Sequence, residues 1–150
     1  KGSHTVSPNV LEIFAKEKAI GLDSPTTYEQ FRKNCETSRT ELLALLEKLR
    51  KEGKRVVGYG ATSKSTTVNN YCGIGPTHMQ FVSDTTHIKH NKLTPGSHIP
   101  VKHYEEFSKN YPEYALLYAW NHSEEIFAKE EEFRKKGGKW IYFVPKVEVK

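Results

Sequence analysis

Apolar residues along this chain follow two rhythms, and one gives way to the other near residue 54. The first rhythm is helical. Ser7-Pro8 offers a capping residue and a proline at the first helical position, and Val10, Leu11, Ile13 and Phe14 form a stripe that stops at Gly21. Ser24-Pro25 repeats the start signal, after which Tyr28, Phe31, Cys35, Leu42, Leu45, Leu46 and Leu49 recur at helical intervals as far as Gly53. Thr37-Ser38 is the point at which so long a helix could bend or break.

Beyond residue 54, short strand-type runs alternate with helical stretches. Strands are predicted over 55–58, 79–83, 114–119 and 140–144, helices over 63–71, 104–110 and 123–136, and a loop as far as Pro100. Strands separated by helix-length connections pair in parallel through right-handed crossovers. The predicted fold class is therefore α/β, a Rossmann-like, doubly wound parallel sheet of about four to five strands with flanking helices, preceded by two N-terminal helices. Residues 1–53 read as a helical lead-in packing on a domain over 54–150, the whole behaving as one domain. Open sheets of this kind take ligands beyond the carboxyl ends of their strands, where the strand order reverses. Those ends are Tyr59-Gly60-Ala61, Asp84 and Trp120-Asn121.

The first of these ends carries the most chemistry. In Arg55-Val56-Val57-Gly58-Tyr59-Gly60-Ala61-Thr62-Ser63-Lys64-Ser65, an apolar run stops in a glycine-spaced turn that leads into a helix. Gly58 and Gly60 are expected to let the backbone turn and approach an anion, with free N–H groups at the helix start favouring negative charge. Asp84 follows the second strand, where a dinucleotide fold places an acid on a ribose hydroxyl. The standard fingerprints nevertheless fail. Ser63 stands where the third glycine of a nicotinamide-binding loop belongs, and the spacing is wrong for a Walker loop.

The chain has 150 residues and a formal charge of +5, but its basic residues alternate with acidic ones over 41–54 and 124–136. Such interleaving describes solvated helix faces, so nucleic acid is not an expected partner. The longest apolar runs are strand-sized, so no membrane partner is expected either. Two cysteines, Cys35 and Cys72, make no disulfide framework and no CxxC pair, which suits a reducing cytoplasmic setting. Among seven histidines, His87 and His90 stand three apart with His98 beyond. Without cysteines or a third convergent ligand, no metal is expected in this chain. Phe31, Phe127 and Phe133 sit on helical stripes and read as core.

Four blocks in order, Gly58-Tyr59-Gly60-Ala61-Thr62-Ser63-Lys64, Asn70-Tyr71-Cys72-Gly73-Ile74-Gly75, Pro95-Gly96-Ser97-His98-Ile99-Pro100 and Ala119-Trp120-Asn121, resemble the C-terminal domain of sugar C-methyltransferases. Lys1-Gly2-Ser3 and the helix from Val10 are similar to the segment that enters this domain, so the resemblance covers nearly the whole chain. It implies a larger enzyme with an upstream zinc-binding part and an upstream domain for S-adenosylmethionine, which partners this one. The substrate implied is a nucleotide-diphosphate-linked keto-deoxysugar, commonly a dTDP-sugar. The general base implied also lies upstream, so no catalytic residue is assigned here and the chain itself binds no cofactor.

On this resemblance, backbone groups of Gly60, Ala61 and Thr62 would bond a diphosphate, helped by the hydroxyls of Tyr59, Thr62, Ser63 and Ser65 and by the charge of Lys64. A solvated first-turn lysine is the other reading of Lys64. Asn70 and Tyr71 either close over a base or sugar or cap their helix. Trp120 and Asn121 either meet the ligand or serve as a half-buried indole and an N-cap. Asp84 is a ribose or sugar contact or a turn acid, and Lys89 is a phosphate partner. His98 orders the Pro-Gly turn. The chain departs from the family pattern at Ser63-Lys64-Ser65-Thr66, at Asn69, and in Thr85 with His87-Ile88-Lys89. Two other classes remain open from sequence: an NAD-type oxidoreductase domain and a stand-alone nucleotide or coenzyme A module.

Overall fold

The structure is a computed structural model that describes Gly2 and residues 5–150, so Lys1 and Ser3 of the entering segment lie outside the described residues. It divides into two compact units, Lys1–Thr37 and Ser38–Lys150. The first unit holds α1 (Pro8–Ala19) and the opening turns of α2 (Pro25–Lys51). Pro8 stands at the start of α1 as expected, and Gly21 takes φ +71° just past its end. No described residue of this unit is buried. Phe31, expected in the core, is 67% exposed, so among the described residues that stretch of α2 leaves its apolar side uncovered.

α2 runs unbroken through Thr37-Ser38, where Ser38 donates its hydroxyl to the carbonyl of Phe143 at 2.7 Å. From there it belongs to the second unit. Leu42, Leu46 and Leu49, one face of its last turns, are buried in the core of the sheet domain. The packing boundary therefore falls inside α2 and not at Gly53.

Six strands build the sheet in the order β3-β2-β1-β4-β5-β6: β1 (Val56–Tyr59), β2 (Val82–Asp84), β3 (Val101–His103), β4 (Tyr114–Leu117), β5 (Lys139–Tyr142) and β6 (Glu148–Val149). The first five are parallel and β6 returns antiparallel along β5. β3 and β6 go beyond the four strands marked by apolar runs; at three and two residues they are too short to show a pattern. Helices α3 (Ser63–Cys72), α4 (Tyr104–Ser108), α5 (Ser123–Lys129) and α6 (Glu131–Lys135) fill the connections. The strand order reverses between β1 and β4, which is the switch point of a Rossmann-like sheet.

Successive residues of a strand face opposite sides, and here both sides are covered. Val56, Leu116 and Ile141 join Leu42, Leu46, Ile74 and Met79 in one cluster; Val57, Tyr59, Ala115, Leu117 and Trp140 join Phe107, Ile126 and Phe133 in the other. Gly58 has no turn role. It lies within β1, and a Cβ there would stand 2.7 Å from the Tyr118 ring and 2.9 Å from Met79 Sδ, so the glycine makes room for Tyr118. The Tyr118 hydroxyl in turn bonds Asn69 Oδ1, which gives the polar residue at 69 a buried partner.

Candidate functional site

At the end of β1, Gly60 takes φ +92°, a conformation that L side chains rarely adopt, and this sends the chain into α3. Its N–H bonds the Ser83 carbonyl at 2.8 Å. The next two donors are also engaged. Ala61 donates to Asp84 Oδ2 at 2.8 Å and Thr62 to the Gly60 carbonyl at 2.9 Å. None of the three N–H groups expected for a diphosphate is therefore open.

Thr62 is the N-cap of α3, with its Oγ1 accepting the Ser65 N–H at 3.3 Å. Ser65 is 1% exposed and its hydroxyl donates to the Thr62 carbonyl at 2.7 Å. In a helix the first donors have no intrahelical acceptor, and with Ser65 capped the open ones here are those of Ser63 and Lys64. The positive end of α3 thus lies one step further along the chain than the glycine spacing suggested.

Asp84, 9% exposed, binds the loops together rather than standing free. Oδ1 accepts the Thr86 N–H at 2.8 Å, while Oδ2 accepts both Ala61 and the Lys89 ammonium, the latter at 3.2 Å. Burial pushes its pKa up, but hydrogen bonds from Thr86 and the charge and hydrogen bond of Lys89 outweigh this and hold it below the usual carboxylate value.

Across the switch point, Lys64 reaches Asn121 Oδ1 at 2.7 Å and stands 5.8 Å from the centre of the Trp120 ring. Lys64, Trp120 and Asn121 are thus one cluster, built from the first turn of α3 and the 3-10 turn Trp120–His122 that follows β4. Their chain neighbours Thr62, Ala119 and His122 line a cleft of about 430 Å³ at the carboxyl ends of the strands. Tyr59, Asp84, Lys89 and Lys129 also face it. A second cleft of about 380 Å³, lined by Ser63, Thr66 and Lys92, shares Thr62 and Lys89 with the first.

Asn70 and Tyr71 line neither cleft. Asn70 Nδ2 donates to the carbonyls of Thr66 at 2.8 Å and Pro95 at 2.9 Å, and Tyr71 is 47% exposed with the Arg39 guanidinium 5.5 Å from its ring centre. Asn70 braces the Pro95-Gly96 turn. His98 sits in the same turn at φ +53°, its N–H on the Thr94 carbonyl at 3.0 Å.

One residue behind the cleft, bonded to its lining, went unseen in the sequence. The helix expected over 123–136 breaks at Glu130, which is fully buried between α5 and α6. Its carboxylate accepts the Tyr59 hydroxyl at 2.7 Å and the Tyr104 hydroxyl at 3.0 Å, with Lys129 Nζ 3.8 Å away. The Tyr59 hydroxyl is thus held by protein. Burial, then the Glu130 carboxylate, raises the pKa of both tyrosines well above the ordinary value. Glu130 opens the charged run Glu130-Glu131-Glu132, which gives no sign that one member is buried.

A family model described as the C-methyltransferase C-terminal domain matches residues 1–145. The C-methyltransferase NovU of Streptomyces niveus is 38% identical over 146 residues, covering 97% of this chain and 35% of that protein. The chain thus spans about a third of the length of this curated relative.

Proposed function

Because the chain belongs to the C-methyltransferase C-terminal domain family, we propose that it binds the nucleotide-diphosphate end of a keto-deoxysugar, in the first instance a dTDP-sugar, for a larger S-adenosylmethionine-dependent C-methyltransferase. The observation that carries this reading is the meeting of Lys64, Trp120 and Asn121 at the switch point, beside the open N–H groups of Ser63 and Lys64. A diphosphate needs cationic and N–H donors, and a nucleobase needs a flat face and an amide. All four are within this cluster. Lys89 and Lys129 add positive charge along the adjoining cleft.

The methyl donor would supply an electrophilic methyl group and is assigned to another part of the longer polypeptide. Asp84, the residue placed to take a ribose, already accepts from Ala61, Thr86 and Lys89, so its carboxylate is held by donors of the protein itself. The general base is likewise assigned elsewhere, and the chain alone is expected to transfer no methyl group. What it contributes is position. Holding the nucleotide fixes the sugar, and an aligned reacting carbon removes much of the entropic cost of meeting the methyl group.

Calorimetric titration of the chain with dTDP, NAD and S-adenosylmethionine tests this reading. Saturable heat is expected for dTDP alone. Binding of NAD or S-adenosylmethionine with no response to dTDP would overturn it.

A further inference from the structure

His87 and His90 stand three apart in the chain and His103 lies well beyond them, but the fold brings all three together. His87 opens the 3-10 turn His87–Lys89, His90 follows that turn directly, and His103 ends β3. Parallel pairing puts His103 in register with Asp84, and the short loop from Asp84 carries the other two imidazoles back over it. The three rings stack edge to face and tilted, with centroids 4.8 to 5.9 Å apart. One potential ligand atom from each lies within 4.8 Å of the other two. The sequence paired His87 and His90 with His98; the fold supplies His103 instead.

The geometry points to a divalent transition-metal site of the zinc class at these three histidines. Three imidazole nitrogens suit Zn²⁺, Co²⁺, Ni²⁺ or Cu²⁺ and not Mg²⁺ or Ca²⁺, which take oxygen ligands. His90 is already set for the task. Its Nε2 stands 2.8 Å from the Asp84 carbonyl, which can only accept, so Nε2 is the donor and, in the neutral ring, Nδ1 is the nitrogen left to ligate. An imidazole whose other nitrogen donates to a backbone carbonyl is the usual arrangement of a metal ligand. His103 and His87 are less prepared. His103 Nδ1 accepts the Glu105 N–H at 3.2 Å, so ligation through Nε2 gives up a long, exposed bond. Tetrahedral zinc with bonds of about 2.0–2.1 Å places its nitrogens roughly 3.4 Å apart, and the rings must close by more than an ångström. His87 is exposed and His103 half-buried, so both have room to rotate. With three protein ligands the fourth position is left to water or an anion. This site is independent of the nucleotide reading, since none of the three histidines belongs to the Lys64 cluster.

The test is titration of the EDTA-treated chain with Zn²⁺ by calorimetry and with Co²⁺ by visible absorption. One equivalent is expected, with a tetrahedral Co²⁺ spectrum free of thiolate charge transfer. His87→Gln and His103→Asn, the second keeping a cap acceptor for Glu105, should each weaken binding roughly tenfold or more, and His98→Gln should leave it unchanged. Melting temperatures in EDTA check that the variants fold. Nitrogen NMR of the wild-type imidazoles needs no variant: zinc should shift His87, His90 and His103 and spare His78 and His122. Absence of wild-type binding, equal affinity in the cluster variants, or zinc-induced shifts confined to other histidines would each overturn the site.

Discussion

The Lys64 ammonium stands 2.7 Å from the side-chain oxygen of Asn121, so the first turn of α3 is tied to the 3-10 turn after β4 across the point where the strand order reverses. The lysine is held here by a neutral amide. A phosphate that displaces the amide gains a full charge without moving the lysine far, and frees the amide for a base or sugar.

Lys64→Ala is therefore expected to weaken dTDP binding about 10- to 100-fold, the worth of one charge-assisted hydrogen bond. Asn121→Ala should weaken it less. Calorimetry on both variants decides this, and undiminished affinity in Lys64→Ala would place the diphosphate elsewhere.

Asp84→Ala leaves the N–H groups of Ala61 and Thr86 without their acceptor and Lys89 without its partner. The expected loss is about 1–3 kcal/mol, read from urea unfolding. Asp84→Asn keeps an acceptor and should lose less; equal losses would mean that the charge, not the loop hydrogen bonds, is what counts.

Glu130→Ala removes the acceptor of two tyrosine hydroxyls at a fully buried position and should destabilise the domain by about 1–3 kcal/mol. Glu130→Gln keeps one oxygen and should recover part of the loss. If the glutamate were merely one of a solvated run, neither change would move the unfolding midpoint.

Gly58→Ala places a methyl group against Tyr118, Met79 and Val82 Cγ2, the last at 3.0 Å. Overpacking of this kind costs roughly 1–3 kcal/mol. Thermal unfolding should register it, and a Gly58→Ala,Tyr118→Phe double variant should not rescue it, because the ring carbon rather than the hydroxyl is in the way.

Tyr59, Tyr104 and Tyr118 all have raised pKa values. Burial is the first cause in each, reinforced by Glu130 for the first two and opposed by the Asn69 hydrogen bond for Tyr118. Unfolded tyrosines lose their protons near pH 10 while these keep theirs, so the stability they lend is whole below about pH 10 and declines above it. The urea midpoint should fall steeply between about pH 9.5 and 11, and of the eight tyrosines these three should add their tyrosinate absorbance only as the chain unfolds. A midpoint constant over that range would contradict this.

Strands whose both faces are buried announce themselves as apolar runs, so β1, β4 and β5 were readable at 55–58, 114–119 and 140–144. β3 was not, because Val101-Lys102-His103 is a half-exposed edge with one buried residue. The positions of Lys64, Trp120 and Asn121 beyond strand ends were readable for the same reason, but their mutual contact was not. Asp84, expected just after the second strand, is the last residue of β2, and its partners come from loops whose hydrogen bonds no spacing encodes. Gly58 and Glu130 were misread for a common cause: each looks like its neighbours, and only the residue brought opposite it in three dimensions, Tyr118 or Tyr59, gives it its role.

Val56 is in register with Tyr114, whereas Gly58 finds Val82 much sooner along the chain. On the ribosome, β1 and β2 emerge long before β4, which is the strand that closes the other side of β1. At synthesis rates of about 5–20 residues per second, the nascent chain carries an open, apolar strand edge for roughly 3 to 12 s. The central strand of the finished sheet is thus the one for which a chaperone has the longest opportunity during translation.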